Sequence, residues 1–191
     1  RVHTNGDYYN AVSLSFTEPW LGGKKPNALS VGVYYSYQDD GFWNTSGQSE
    51  YHVGILGGSV SLATRLKWPD DYFTFVHGIA YQQYNVKNYS TLTAMPTGIS
   101  NNINYNFTIA RNSVDQLIYP RQGSDVSLQA QMTFPYSLVN GKDYSNLTSQ
   151  ERYKWLEYYK VNLRAAWYFN IFDDLVVSTR ARFGFLGQYN S

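Results

Sequence analysis

From Asp125 to Phe134 apolar and polar residues alternate without a break. Val126, Leu128, Ala130, Met132 and Phe134 fall on one face, and Asp125, Ser127, Gln129, Gln131 and Thr133 on the other. Successive Cβ atoms of a strand point to opposite faces, so period two predicts a strand. The same pattern recurs near the end, where Val177, Thr179, Ala181, Phe183 and Phe185 oppose Ser178, Arg180, Arg182 and Gly184. Four more stretches alternate cleanly, around Val12–Phe16, Leu29–Tyr37, Tyr105–Ile109 and Tyr159–Trp167. Two are less regular. Between Tyr51 and Leu66 the phase slips at Gly57-Gly58, which predicts a β-bulge, and between Tyr72 and Val86 His77 shares a face with Phe75, Ile79 and Tyr81. Eight strands are predicted, and no segment reads as a helix.

The links between these strands alternate in length. Short, turn-rich links are predicted at Pro19–Asn27, Lys67–Asp71, Pro120–Ser124 and Asn170–Asp174, and longer polar ones at Gln38–Glu50, Val86–Asn102 and Pro135–Arg152. Short turns at one rim and long loops at the other describe a transmembrane barrel, with the short turns periplasmic. Aromatic residues gather where strands meet links. Trp20, Trp68, Tyr72, Tyr119, Trp167 and Phe169 lie by the short turns, and Tyr37, Tyr51, Tyr84, Tyr136, Trp155 and Tyr158 by the long ones. Two belts of amphipathic rings suit the two interfaces of a bilayer.

Composition sharpens this picture. The 191 residues are 18% aromatic, with 19 Tyr and 5 Trp, but only 15% charged. Soluble domains carry about a quarter charged residues. Mean hydropathy is nevertheless −0.44, because Asn, Ser, Gln, Thr and Gly offset the apolar side chains. One greasy face and one uncharged, wet face fit an all-β, antiparallel transmembrane β-barrel. A soluble barrel or sandwich also alternates, but points its apolar face inward. Large aromatics on the apolar faces favour the membrane assignment. No run approaches about 18 apolar residues, the length a spanning helix needs.

Strand polarity adds an expectation. A first strand from Tyr8 to Thr17 that enters a short turn runs toward the periplasm, and a last strand from Leu175 that leaves one runs outward. Both chain ends then lie at the long-loop rim, whereas bacterial barrels start and finish in the periplasm. Further strands are expected on both sides of this segment.

Several motifs resemble the BamA-type barrel family. Ser13-Leu14-Ser15-Phe16-Thr17-Glu18-Pro19-Trp20-Leu21, followed by Leu29-Ser30-Val31-Gly32, resembles a strand, turn and next strand of that family. Asp115 followed by Tyr119-Pro120-Arg121-Gln122-Gly123-Ser124 resembles its Asp and aromatic-Pro-x-x-Gly turn, here Asp115, Tyr119, Pro120 and Gly123. Tyr158-Tyr159-Lys160-Val161 through Arg180-Ala181-Arg182-Phe183-Gly184 is similar to the last two strands before its long inward-folded loop, and Leu66–Phe73 looks like a turn of its Bacteroidetes branch. In order and spacing these match eight strands of a sixteen-stranded barrel. The resemblance implies a non-enzymatic outer-membrane protein assembly factor without a cofactor. It also implies outer-membrane lipids, nascent β-barrel client proteins and accessory subunits as partners, with periplasmic POTRA repeats preceding the segment. TamA-type and two-partner secretion transporters remain open, as do a passive porin and an adhesive surface barrel.

Few residues carry candidate chemistry. Formal net charge is +1, which gives no reason to expect a nucleic-acid partner. There is no Cys, and His3, His52 and His77 share no metal-ligand spacing. His77 reads as an interfacial or membrane-facing residue rather than a ligand. Asp39-Asp40, Asp70-Asp71 and Asp173-Asp174 lack the spaced oxygens of a calcium loop and read as turn carboxylates. No nucleophile-elbow motif occurs, although some outer-membrane barrels are enzymes. One polar face stands out. Lys160, Arg164, Arg180 and Arg182 form a basic lumen wall, which is either a hydrated wall with scattered charge or a docking surface for an inward-folded loop.

Overall fold

The computed structural model describes residues 1–6, 8–23, 27–39, 51–88, 97–140, 147–172 and 175–189. Nine strands follow one another: β1 (Val2–Asn5), β2 (Tyr9–Glu18), β3 (Asn27–Asp39), β4 (His52–Arg65), β5 (Phe73–Lys87), β6 (Gly98–Asn112), β7 (Gly123–Thr133), β8 (Tyr159–Phe172) and β9 (Leu175–Gly187). They make one antiparallel sheet in chain order, β1 and β9 being its edges. Every alternating segment became a strand because adjacent neighbours in sequence satisfy each other's backbone groups, the condition for crossing lipid.

Four expectations need correcting. Among the described residues there are nine strands, not eight: the four residues of β1 are too few to show alternation, yet they pair with β2 from Val2↔Val12 to Asn5↔Tyr9. The Ser13 amide donates to the Arg1 carbonyl at 2.8 Å, so Arg1 lies beside the middle of β2 rather than at the long-loop rim. No bulge occurs at Gly57-Gly58. Gly57 faces Tyr34 and Gln82, Gly58 faces Val33 and Tyr81, and the register runs on unbroken. The apparent slip arises because Val53 and Ile55 lie on the otherwise polar face near the long-loop end, where Val53 is paired with Val86. The register shift that does occur lies at Asn170/Phe172, between β8 and β9. Third, β6 begins at Gly98, so the Asn-rich stretch assigned to a loop is strand. Fourth, the Pro135–Arg152 link contains two short helices, α1 (Tyr136–Asn140) and α2 (Ser149–Arg152). Thr148 caps α2 in a capping box with Glu151. Parts of all three long links lie outside the described residues, as do Asp40, Asp173 and Asp174.

The two faces of the sheet follow from the registers. One carries Leu14, Phe16, Val31, Val33, Val60, Ile79, Phe107, Leu128, Leu163 and Phe183, and it is exposed: Leu14 is 71% accessible and Ile79 59%. The other carries Ser, Asn, Gln, Gly and Thr, and here the most buried side chains are Asn102 and Asn104, each 2% accessible. A soluble sandwich would show the reverse order. This inversion is what a hydrocarbon solvent outside and a wet lumen inside require. Ala130 and Ala165, on the apolar face, are nevertheless buried, each 6% accessible.

Candidate functional site

At the short-turn rim the link from β6 to β7 spans residues 113–122, longer than the Pro120–Ser124 turn expected. Asp115 organises it. Its Oδ1 accepts the backbone N–H groups of Gln116 (3.0 Å), Arg121 (3.0 Å) and Gln122 (3.2 Å). Desolvation pulls its pKa upward, but the amides of Arg121, Gln122 and Gln116 together outweigh that and hold it below the ordinary aspartate range. Tyr119 takes a left-handed conformation (φ 56°) before Pro120. Gly123 closes the turn at φ 107°, where an added Cβ would lie 2.2 Å from the Ser113 carbonyl oxygen. Each polar or conformationally special residue of the aromatic-Pro-x-x-Gly motif thus has a local structural task.

A second cluster ties that turn to its neighbour. Arg111 Nε binds Asp70 Oδ2 at 2.9 Å across from the β4–β5 turn, and its Nη1 donates to Ser113 Oγ and Ser124 Oγ. Its guanidinium stands 5.6 Å from the Tyr72 ring and 5.9 Å from the Phe73 ring. The sequence held a signal for this pair: Arg111 is a charge on an apolar face at a strand end, where an ion needs a partner. Trp20, Trp68, Tyr72, Tyr119 and Trp167 are all exposed; Trp68 and Tyr72 share the β4–β5 turn, and the other three lie on other segments. His77 lies on the apolar face, stacked on Phe75 at 5.1 Å between ring centroids.

The polar face holds a network that the sequence did not reveal. Gln82 Nε2 donates to Tyr34 Oη at 2.6 Å, and Tyr84 Oη donates to Gln82 Oε1 at 2.9 Å. Asn102 Nδ2 reaches both Gln82 Oε1 and Tyr158 Oη, and Gln131 Nε2 also donates to Tyr158 Oη. The chain of bonds runs from β3 through β5 and β6 to β7, near the long-loop end. Above the end of β7, the link itself covers β6: Asn101 N–H donates to the Lys154 carbonyl and Leu156 N–H to the Asn101 carbonyl.

The basic residues share this face on β8 and β9. Arg164 and Arg182 stand opposite one another, Arg180 opposite Ala166, and Lys160 opposite Leu186. All four are exposed.

A nine-stranded antiparallel wall, polar on one side and lipid-like on the other, is barrel geometry, and comparison with known proteins decides which barrel. The Omp85 superfamily domain matches residues 1–191. This chain belongs to the Omp85 superfamily. The fold agrees with the crystal structure of BamA from Haemophilus ducreyi lacking POTRA domains 1–3, at a TM-score of 0.65 and 16% identity over 96% of this chain. The match covers 34% of that structure, so the segment spans about a third of its length.

Proposed function

We propose that this segment is part of the membrane-embedded barrel of an outer-membrane protein assembly factor in a Gram-negative bacterium. The observation that carries the reading is the inside-out wall, with Asn102 and Asn104 buried and Leu14 and Ile79 bare, in a chain whose whole length matches the Omp85 domain. On this reading the work is non-enzymatic and needs no cofactor. The factor accepts nascent β-barrel clients by pairing their strands with an exposed barrel edge and releases them into surrounding outer-membrane lipids, helped by accessory subunits. Edge pairing suits that task because an open strand offers unpaired N–H and C=O groups to any incoming chain.

The segment's part is the stationary wall. Adjacent pairing of all nine strands and the polar network across β3 to β7 favour a rigid body against which other strands open. The test is reconstitution of the full-length protein in lipid vesicles with a urea-unfolded client barrel. Faster appearance of the folded, heat-modifiable client than in empty vesicles is expected. Equal rates would return the barrel to the passive-channel reading.

A further inference from the structure

The charges on the polar face are unevenly placed. Along β2 to β6 that face is Ser, Asn, Gln, Gly, Thr, Tyr and small aliphatics, with Arg65 as its charged residue at the short-turn end, where Nε donates to the Asp71 carbonyl. On β7 to β9 it carries Lys160, Arg164, Arg180 and Arg182 against one carboxylate, Asp125. Asp125 faces Ala166 and lies diagonal to Arg164, and no ion pair joins it to the wall. The ends of Lys160, Arg164, Arg180 and Arg182 make no hydrogen bond or salt bridge among the described residues.

Arg164 directly opposite Arg182 is an unfavourable cross-strand pair, because like charges on facing positions repel. Arg180 adds a third guanidinium one same-face position along. Such a cluster is tolerable only where mobile counter-ions gather to screen it. A water-filled lumen bounded by low-dielectric strands provides that setting and focuses the field along the wall.

We propose that the β8–β9 wall accumulates small hydrated anions and biases ion flow through the barrel toward anions, as rings of Arg and Lys do in anion pores. The stripe runs from Arg180 past the Arg164–Arg182 rung to Lys160, so anions meet successive cations along the pore rather than one tight site. The inference rests on a hydrated Omp85 lumen and not on the assembly reading, so either can fail alone.

The experiment is zero-current potential of the full-length protein in planar bilayers under a KCl gradient, with heat-modifiable migration confirming folding. Arg180→Glu/Arg182→Glu should shift the permeability ratio toward cations by about twofold or more at roughly 0.1 M salt, and less at about 1 M, where screening shortens to a few ångströms. Arg164→Gln/Arg182→Gln should give a smaller shift in the same direction, which keeps the test usable if the reversed pair misfolds. Unchanged selectivity in folded variants would show the wall covered by another part of the chain and overturn the proposal. A wild-type barrel that never conducts would overturn it too.

Discussion

The ring of Tyr34 lies over Gly57 on the lumen face: a Cβ at position 57 would come 2.4 Å from the Tyr34 Cε1. Tyr34 needs that bare backbone to cross β4 and receive the Gln82 amide at 2.6 Å. A glycine in mid-strand usually weakens the strand, and here it makes room for a cross-strand bond two strands away.

Gly57→Ala should therefore displace Tyr34 and lose the Gln82 bond, at about 0.5–1.5 kcal/mol. In a Tyr34→Ala background the same change should be close to neutral. Gly78→Ala should cost more, about 1–3 kcal/mol, because its Cβ would meet the Val60 carbonyl oxygen at 2.3 Å, and backbone cannot swing aside. Urea unfolding of the full-length protein in vesicles, read by gel migration, gives all three values. Equal costs for Gly57→Ala with and without Tyr34 would refute the coupling.

The β6–β7 turn should depend on the Asp115 charge. Its pKa is held below the ordinary range in the fold, so its contribution is fully present at neutral pH. It is lost only as pH falls below that range through the folded value. Asp115→Ala should expose the Arg121 and Gln122 amides to faster hydrogen exchange at neutral pH, while Asp115→Asn, which keeps an acceptor oxygen, should fall between. Unaltered protection in Asp115→Ala would mean that the turn is held by something other than these bonds.

Arg111 and Asp70 link two turns that are 41 residues apart. Both side chains are about one-third exposed, so solvent screening limits the pair to a coupling of about 0.5–1 kcal/mol. A double-mutant cycle with Asp70→Ala and Arg111→Met should recover it. Asp70→Ala alone should be mild, because Arg111 keeps the hydroxyls of Ser113 and Ser124. A coupling near zero would leave those hydroxyls as the whole of the anchor.

Facing and strand order were legible because alternation reports directly which side chains share a surface. The misses have physical causes. β1 offers four residues, too few for a period. Asn101 and Asn102 read as loop by composition, yet the polar face of such a sheet puts polar residues inside strands, and Asn102 is bonded to Gln82 and Tyr158 there. Val53 and Ile55 mimicked a bulge because the lumen face turns apolar near one rim. That Lys160, Arg164, Arg180 and Arg182 share the polar face was visible from phase alone, but that Arg164 meets Arg182 depends on the β8–β9 register, which hydrophobic pattern does not set. Arg111 on an apolar face signalled that it needs a partner, but Asp70 lies 41 residues away and no local rule singles it out.

The strongest test of the inside-out assignment uses two adjacent residues of β7. Leu128 pairs with Ile109 and Leu163 on the apolar face, near the middle of its strand. Gln129 pairs with Thr108 and Asn162 on the polar face. Arginine on the lipid face near the midplane costs about 2–4 kcal/mol, whereas a lumen position hydrates it. Leu128→Arg should lower the folded fraction of the full-length protein in vesicles and shift its urea midpoint downward, and Gln129→Arg should leave both near wild type. Ala130 is a poorer probe, since it is 6% accessible beneath its neighbours, and arginine there would add steric displacement to the cost of the charge. The opposite ranking, with Gln129→Arg the damaging change, would place the polar face against lipid and remove the basis for a lumen.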